Sequence, residues 1–206
     1  MGFYSRILFP LAYDSLVSSP MKDKARRALL SGVKGEILEI GFGTGLNLPN
    51  YPSHVKKVTA VDRNASMNAR AEKRIKGASI IVDSYVLNAE SLPMKNDTFD
   101  SVVTTYTLCT INNIDSALTE VYRVLKPGGR FFFLEHGLSN DPKIQKWQYR
   151  LNPIQSFFVD GCRLTRNIRH LIEQADFNLL ELDEYYIDDD SKVHGYTYQG
   201  VAEKAK

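Results

Sequence analysis

The stretch Glu36-Ile-Leu-Glu-Ile-Gly-Phe-Gly-Thr-Gly45 constrains the fold more than any other part of the chain. It opens with Ile37, Leu38 and Ile40, an apolar run short enough for one buried parallel strand. It then passes through Gly41, Gly43 and Gly45. Glycine tolerates a positive φ and puts no Cβ between the backbone and a ligand. A strand that runs into such a loop places a ligand at the carboxyl end of a parallel sheet.

The spacing narrows the ligand. The loop reads G-x-G-x-G, with Leu46 where a dinucleotide fingerprint has its last glycine, and no G-x-x-x-x-G-K-[ST] phosphate loop occurs. Glu39 lies inside the strand end, two residues before Gly41. Asp62 closes the next apolar run, Val58-Thr-Ala-Val61. It falls at about the twenty-residue distance expected of a carboxylate that accepts both hydroxyls of a ribose. Glu39-Ile-Gly-Phe-Gly-Thr-Gly45 followed by Val61-Asp62 resembles the cofactor site of class I S-adenosylmethionine-dependent methyltransferases. The resemblance implies S-adenosylmethionine as cofactor, S-adenosylhomocysteine as product, and Glu39, Gly41, Gly43, Gly45, Asp62 and Arg63 around them. A tight glycine turn in some other α/β protein is the alternative.

With 206 residues the chain suits a single domain, read here as 1–206 with an N-terminal cap at 1–30. A net charge of +2 without a basic block argues against a nucleic-acid partner. Cys109 and Cys162 form neither C-x-x-C nor a zinc spacing, so reduced thiols, no metal site and a cytoplasmic protein are expected. No apolar run reaches the roughly eighteen residues of a spanning helix. The start carries Arg6 but no signal-peptide core. Phe3, Tyr4, Ile7, Leu8, Phe9, Leu11 and Tyr13 near the start read as a cap over the cleft, or as a surface for peripheral contact with a membrane or an apolar substrate.

Along the chain, Ser18-Ser19-Pro20 predicts a helix start, and Asn64 caps a second helix that Gly77 closes. His54 is expected in solvent. Ile80 to Leu87 reads as the third strand, Ser101 to Thr105 as the fourth and Arg130 to Glu135 as the fifth. Between them come Asn88-Ala89-Glu90-Ser91-Leu92-Pro93 and Asn96-Asp97-Thr98-Phe99-Asp100. This pairing resembles the subgroup that includes ubiquinone and menaquinone methyltransferases, where the A-E-x-L-P segment lines the adenine pocket. The resemblance implies Asn88, Ala89 and Glu90 at the adenine, with Thr105 and Tyr106 across the cleft. Alternating strands and helices predict an α/β, Rossmann-like, doubly wound sheet with the cleft between the first and fourth strands. Seven strands are expected, mostly parallel, with a C-terminal antiparallel hairpin around Asp188-Asp-Asp-Ser191, an acidic turn read as a solvated tip.

Residues 136–165 form an insertion rich in aromatic and basic residues, expected on the substrate side. A short helix is predicted from Ile144 to Leu151, stopped by Asn152-Pro153, and another from Thr165. Asp160-Gly-Cys-Arg-Leu-Thr-Arg166 and His194-Gly-Tyr196 resemble small thiol methyltransferases and small bacterial phosphatidylethanolamine N-methyltransferases. Methyl transfer from a sulfonium needs positioning and desolvation, and a base only when the acceptor must lose a proton. His136, after the fifth strand, is the candidate base; a loop histidine bonded to a carbonyl is the alternative. His194 and Asp160 are weaker candidates, Asp160 as a partner for a cationic headgroup. A methyltransferase acting on a small molecule or lipid, with a phospholipid amine favoured, is the principal reading. A non-catalytic S-adenosylmethionine-binding module and a nicotinamide-dependent oxidoreductase are the alternatives. The oligomeric state has no signature in the sequence.

Overall fold

The computed structural model describes Asp14 and residues 18–205, with Asn68 described by its backbone alone. The aromatic stretch up to Tyr13 lies outside the described residues, so the structure says nothing of a membrane contact there. Seven strands form one sheet in the order β3-β2-β1-β4-β5-β7-β6. They are β1 (Ile37–Ile40), β2 (Lys57–Asp62), β3 (Ile81–Val86), β4 (Phe99–Thr105), β5 (Leu125–His136), β6 (Asn178–Tyr186) and β7 (Tyr196–Glu203). The first five pair in parallel, and β7 runs antiparallel to both β5 and β6, as expected from the sequence. The order reverses between β1 and β4, where an open sheet leaves a crevice.

Period-two alternation sorts the core onto two faces. Leu38, Ile40, Phe131 and Phe133 pack on one side against α3 (Ile114–Val124) and α5 (Ile168–Gln174). Ile37, Val103, Phe132 and Leu134 pack on the other against α1 (Pro20–Leu30). The outer end of the sheet is covered by α2 (Ala65–Gly77), whose Ala71 meets Phe42 and Ala60. Capping follows the sequence: Ser19 Oγ accepts from the Lys22 N–H and Asn64 Oδ1 from the Ser66 N–H. The expected helix from Thr165 begins instead at Ile168, because Asn167 supplies the cap and accepts from the His170 N–H.

Two other expectations are corrected. Helix α4 (Pro142–Phe158) runs straight through Pro153 instead of stopping at Asn152. The carbonyl that Pro153 leaves without a helical partner is that of Tyr149, an exposed residue, so water can take it. The Asp188–Asp190 turn is not merely solvated: Asp190 Oδ2 accepts from Lys22 Nζ at 2.8 Å, which ties the hairpin tip to α1. None of the described helices is long and apolar enough to cross a membrane.

Gly200, in the middle of β7, has its Cα against the neighbouring strands. A Cβ there would lie 2.5 Å from Phe133 Cζ and 2.6 Å from the Glu181 carbonyl oxygen. Gly200→Ala is therefore expected to destabilise by roughly 1–3 kcal/mol, as overpacked cores do. Urea unfolding reads the sign, which in an open strand would be a gain.

Candidate active site

The crevice at the reversal is floored by the ends of β1 and β2 and walled by the segments after β3 and β4. Gly41, Gly43, Asp62, Arg63, Asn88, Ala89, Glu90 and Tyr106 all line it. The glycine loop is held open by its backbone: φ is +75° at Gly41, +57° at Gly43 and +82° at Gly45. A Cβ on Gly41 would overlap the Thr107 side chain, so this position requires both the φ and the space.

Asp62 sits at the junction of floor and wall. Its Oδ2 accepts from the Gly43 N–H at 2.8 Å and its Oδ1 from the Asn64 N–H at 2.7 Å. Each oxygen keeps a further lone pair for a ligand hydroxyl. Burial raises the Asp62 pKa, and the two N–H bonds and Arg63 work against that rise. Arg63 turns to the opposite wall, where Nη2 donates to the Asp160 carbonyl and carboxylate at 3.0 and 3.2 Å. Asn88 Oδ1 accepts from the Glu90 N–H, and Glu90 Oε1 accepts from the Asn113 N–H ahead of α3.

Glu39, Gly45 and Thr105 do not face this crevice. Glu39 and Thr105 border a small hollow behind the loop, together with Arg26 and Asn47. Glu39 Oε2 accepts from Tyr51 Oη at 2.7 Å and Oε1 from Asn47 Nδ2 at 3.0 Å. Asn47 also donates to Thr105 Oγ1, so one buried carboxylate links β1, the loop and β4. Burial pushes the Glu39 carboxyl up to about 7, against the lowering effect of these bonds and of Arg26. From the N-terminal segment, Asp14 accepts from Thr44 Oγ1 of the glycine loop and from Arg74 Nη2 of α2.

On the far wall, Tyr106 has φ +52° and a buried hydroxyl with no hydrogen-bond partner among the described residues. Its ring lies under Arg26 at 5.3 Å and Lys22 at 5.9 Å. The next residue, Thr107, donates its N–H to both oxygens of Glu135 at 2.9 and 3.1 Å. Burial raises Glu135 to about 7. His136 does not line the crevice: its Nε2 lies 2.9 Å from Cys162 Sγ, and Cys162 Sγ lies 3.6 Å from Cys109 Sγ. His194 bonds Ser191 and Gln155 and is likewise absent from the lining, while exposed His54 bonds the Val33 carbonyl.

Sequence reading missed Asn47, Tyr51 and Glu135, which hold the loops from behind. An acidic residue closing the apolar run Phe131-Phe-Phe-Leu134 was the available signal for Glu135. S-adenosylmethionine fits what is present: a glycine-lined floor, a half-buried carboxylate with spare acceptor capacity, and in the facing wall a tyrosine hydroxyl without a partner among the described residues.

Residues 38–133 match the family model described as "Methyltransferase domain". The chain is 32% identical to the thiol S-methyltransferase TMT1A of Homo sapiens, over 87% of this chain and 76% of that one. It is 37% identical to the thiol S-methyltransferase TMT1B of Rattus norvegicus, over 85% and 77%. The ubiquinone/menaquinone biosynthesis C-methyltransferase UbiE of Bartonella quintana matches at 32% over 69% and 60%. Among solved structures, the N-methyltransferase NodS of Bradyrhizobium japonicum superposes with a TM-score of 0.66 over 92% of this chain and 99% of that one, at 17% identity, a likeness of fold. The chain belongs to the class I S-adenosylmethionine-dependent methyltransferases. It is a small-molecule methyltransferase, and the nicotinamide oxidoreductase alternative falls.

Glu39 gives a pH dependence. Its carboxyl titrates at about 7 when folded and near 4.5 otherwise, so the folded state holds the proton more tightly. Stability from this group is full below pH 4.5, declines as pH rises to about 7, and is level above. Glu39→Gln should gain on the wild type across that window by up to about 1.4 kcal/mol per pH unit. Paired urea titrations of the ligand-free proteins measure the difference; a trend in the opposite direction refutes the burial argument.

Proposed function

We propose that this enzyme methylates the sulfur of a small thiol. The observation that carries this reading is the reach of the similarity to the two thiol S-methyltransferases, which spans 85–87% of the chain and so extends beyond the segment matched by the family model. The chemistry of the crevice agrees. Its charged lining residues are Asp62, Glu90, Asp160 and Arg63, with no histidine or lysine among them, and burial pushes the Tyr106 phenol, the remaining titratable group of the lining, well above its ordinary range. Asp62 and Glu90 each already accept backbone N–H bonds, and Asp160 accepts from Arg63. Such a site favours an acceptor that ionises by itself, and a thiol is a few per cent thiolate at pH 7 and strongly nucleophilic.

In this reading the sulfonium cofactor supplies the electrophilic methyl, and the chain supplies position and a dry wall. Asp62 grips the ribose hydroxyls. Asn88, Ala89 and Glu90 border the adenine. Gly41 and Gly43 let the backbone approach, and Glu39, Thr105 and Gly45 shape the loop from behind. Tyr106 closes the far side, and Leu87 and Ile111 give it an apolar surface.

Two measurements test the assignment. Asp62→Ala should weaken S-adenosylhomocysteine binding by at least about tenfold in calorimetry, the worth of about 1.4 kcal/mol. Its unfolding midpoint serves as the control for folding. Rates with two thiols of different acidity should rise about tenfold per pH unit and level off at each acceptor's own pKa. A profile that ignores the acceptor, or transfer only to phospholipid amines or quinone precursors, sinks the thiol reading.

A further inference from the structure

Cys109, His136 and Cys162 come from three separate segments, the loop after β4, the last residue of β5 and the turn after α4. One donor atom from each lies within 4.8 Å of the other two. Both cysteines are free and buried. We propose that these three side chains bind one zinc-class divalent ion and leave its fourth position to water.

The spacing suits a metal. With zinc–sulfur bonds of about 2.3 Å and zinc–nitrogen bonds of about 2.0 Å, a tetrahedron has sulfur–sulfur edges of roughly 3.8 Å and nitrogen–sulfur edges of roughly 3.5 Å. Two observed edges are 3.6 Å between the sulfurs and 2.9 Å from His136 Nε2 to Cys162 Sγ, and the donor atoms of Cys109 and His136 lie within 4.8 Å of each other. Small outward motions of the ring and the thiols would admit the ion. The charges suit it too: two thiolates and a neutral imidazole around a dication sum to zero, which a buried site tolerates. Binding converts two S–H groups to thiolates and releases their two protons to solvent. The ligand set is soft enough to select zinc over magnesium or calcium.

The surroundings hold the two cysteines in place, whereas Nδ1, the second ring nitrogen of His136, has no hydrogen-bond partner among the described residues. Glu135 accepts from the Thr107 N–H, and Arg166 donates to the Leu108 and Ile111 carbonyls on either side of Cys109. The Cys109 carbonyl accepts from the Arg163 N–H, next to Cys162. Gln155 Nε2 reaches Cys162 Sγ at 3.7 Å, and His194 Nε2 lies 3.3 Å from Gln155 Oε1. Thr107, Thr110, Ile111 and Asp160, which line the cofactor crevice, flank the two cysteines in sequence. The ion would therefore pin the substrate-side wall to β4 and β5.

The test is metal analysis of the full chain, expressed with zinc in the medium and purified with a phosphine reductant that does not chelate. About one zinc per chain is expected. Exchange for cobalt(II) should give a thiolate-to-cobalt charge-transfer band in the near ultraviolet and the intense visible bands of a tetrahedral site. Cys109→Ser and Cys162→Ser should each weaken zinc binding by more than about 100-fold. S-adenosylhomocysteine affinity reports that each variant is folded. A metal-free wild type that takes up cobalt without a charge-transfer band overturns the proposal. So does zinc uptake unchanged by either serine variant, or a Cys109–Cys162 disulfide in metal-free protein. If a variant does not fold, the wild-type spectrum alone decides.

Discussion

Three carboxylates at the ends of three parallel strands anchor the loops that make the crevice. Glu39 on β1 takes the side-chain donors of Asn47 and Tyr51. Asp62 on β2 takes the N–H groups of Gly43 and Asn64. Glu135 on β5 takes the N–H of Thr107. Loop backbone at a buried rim needs partners for its N–H groups, and each missing partner costs about 1–3 kcal/mol. A carboxylate offers about four acceptor sites on one residue. One acidic side chain per strand end is thus an economical way to fix a loop whose own residues must stay small.

The same arrangement explains why the far wall can hold an unusual conformation. Tyr106 has a positive φ without being glycine, a cost of order 1–3 kcal/mol. Its N–H donates to the Leu134 carbonyl, and Thr107 just after it is held by Glu135. Two cations of α1 rest on its ring. These ties to β5 and the cations over the ring hold the residue in that conformation. The ring thereby borders the crevice while packing at the edge of the core beneath α1.

What was legible in the sequence was local. The glycine loop, Asp62 and the Asn88-Ala-Glu90 segment each stand at or just beyond the end of a strand, and strand ends can be read from apolar runs. The antiparallel hairpin was equally plain from Tyr196 and Tyr198 alternating beyond a polar turn. Most of the partners were not legible because they lie far away in sequence: Lys22 and Asp190 are 168 residues apart, and Cys109 and Cys162 are 53 apart. A spacing rule for metal ligands sees neighbours only, so it passed over the Cys109–His136–Cys162 cluster. Pro153 misled for a different reason. A proline breaks a helix when the freed carbonyl is buried, and that of Tyr149 belongs to an exposed residue.

The close approach of Gly41 and Thr107 also sets an order of events. Thr107 Oγ1 lies 3.5 Å from the Gly41 carbonyl oxygen across 66 residues of chain, and β1 pairs with β4 over a similar separation. Long-range parallel pairing is slow, because loop closure comes before any reward. During synthesis the glycine loop leaves the ribosome well before its opposing wall. A nascent chain truncated ahead of β4 would carry every glycine of the motif and have nowhere to put a nucleoside.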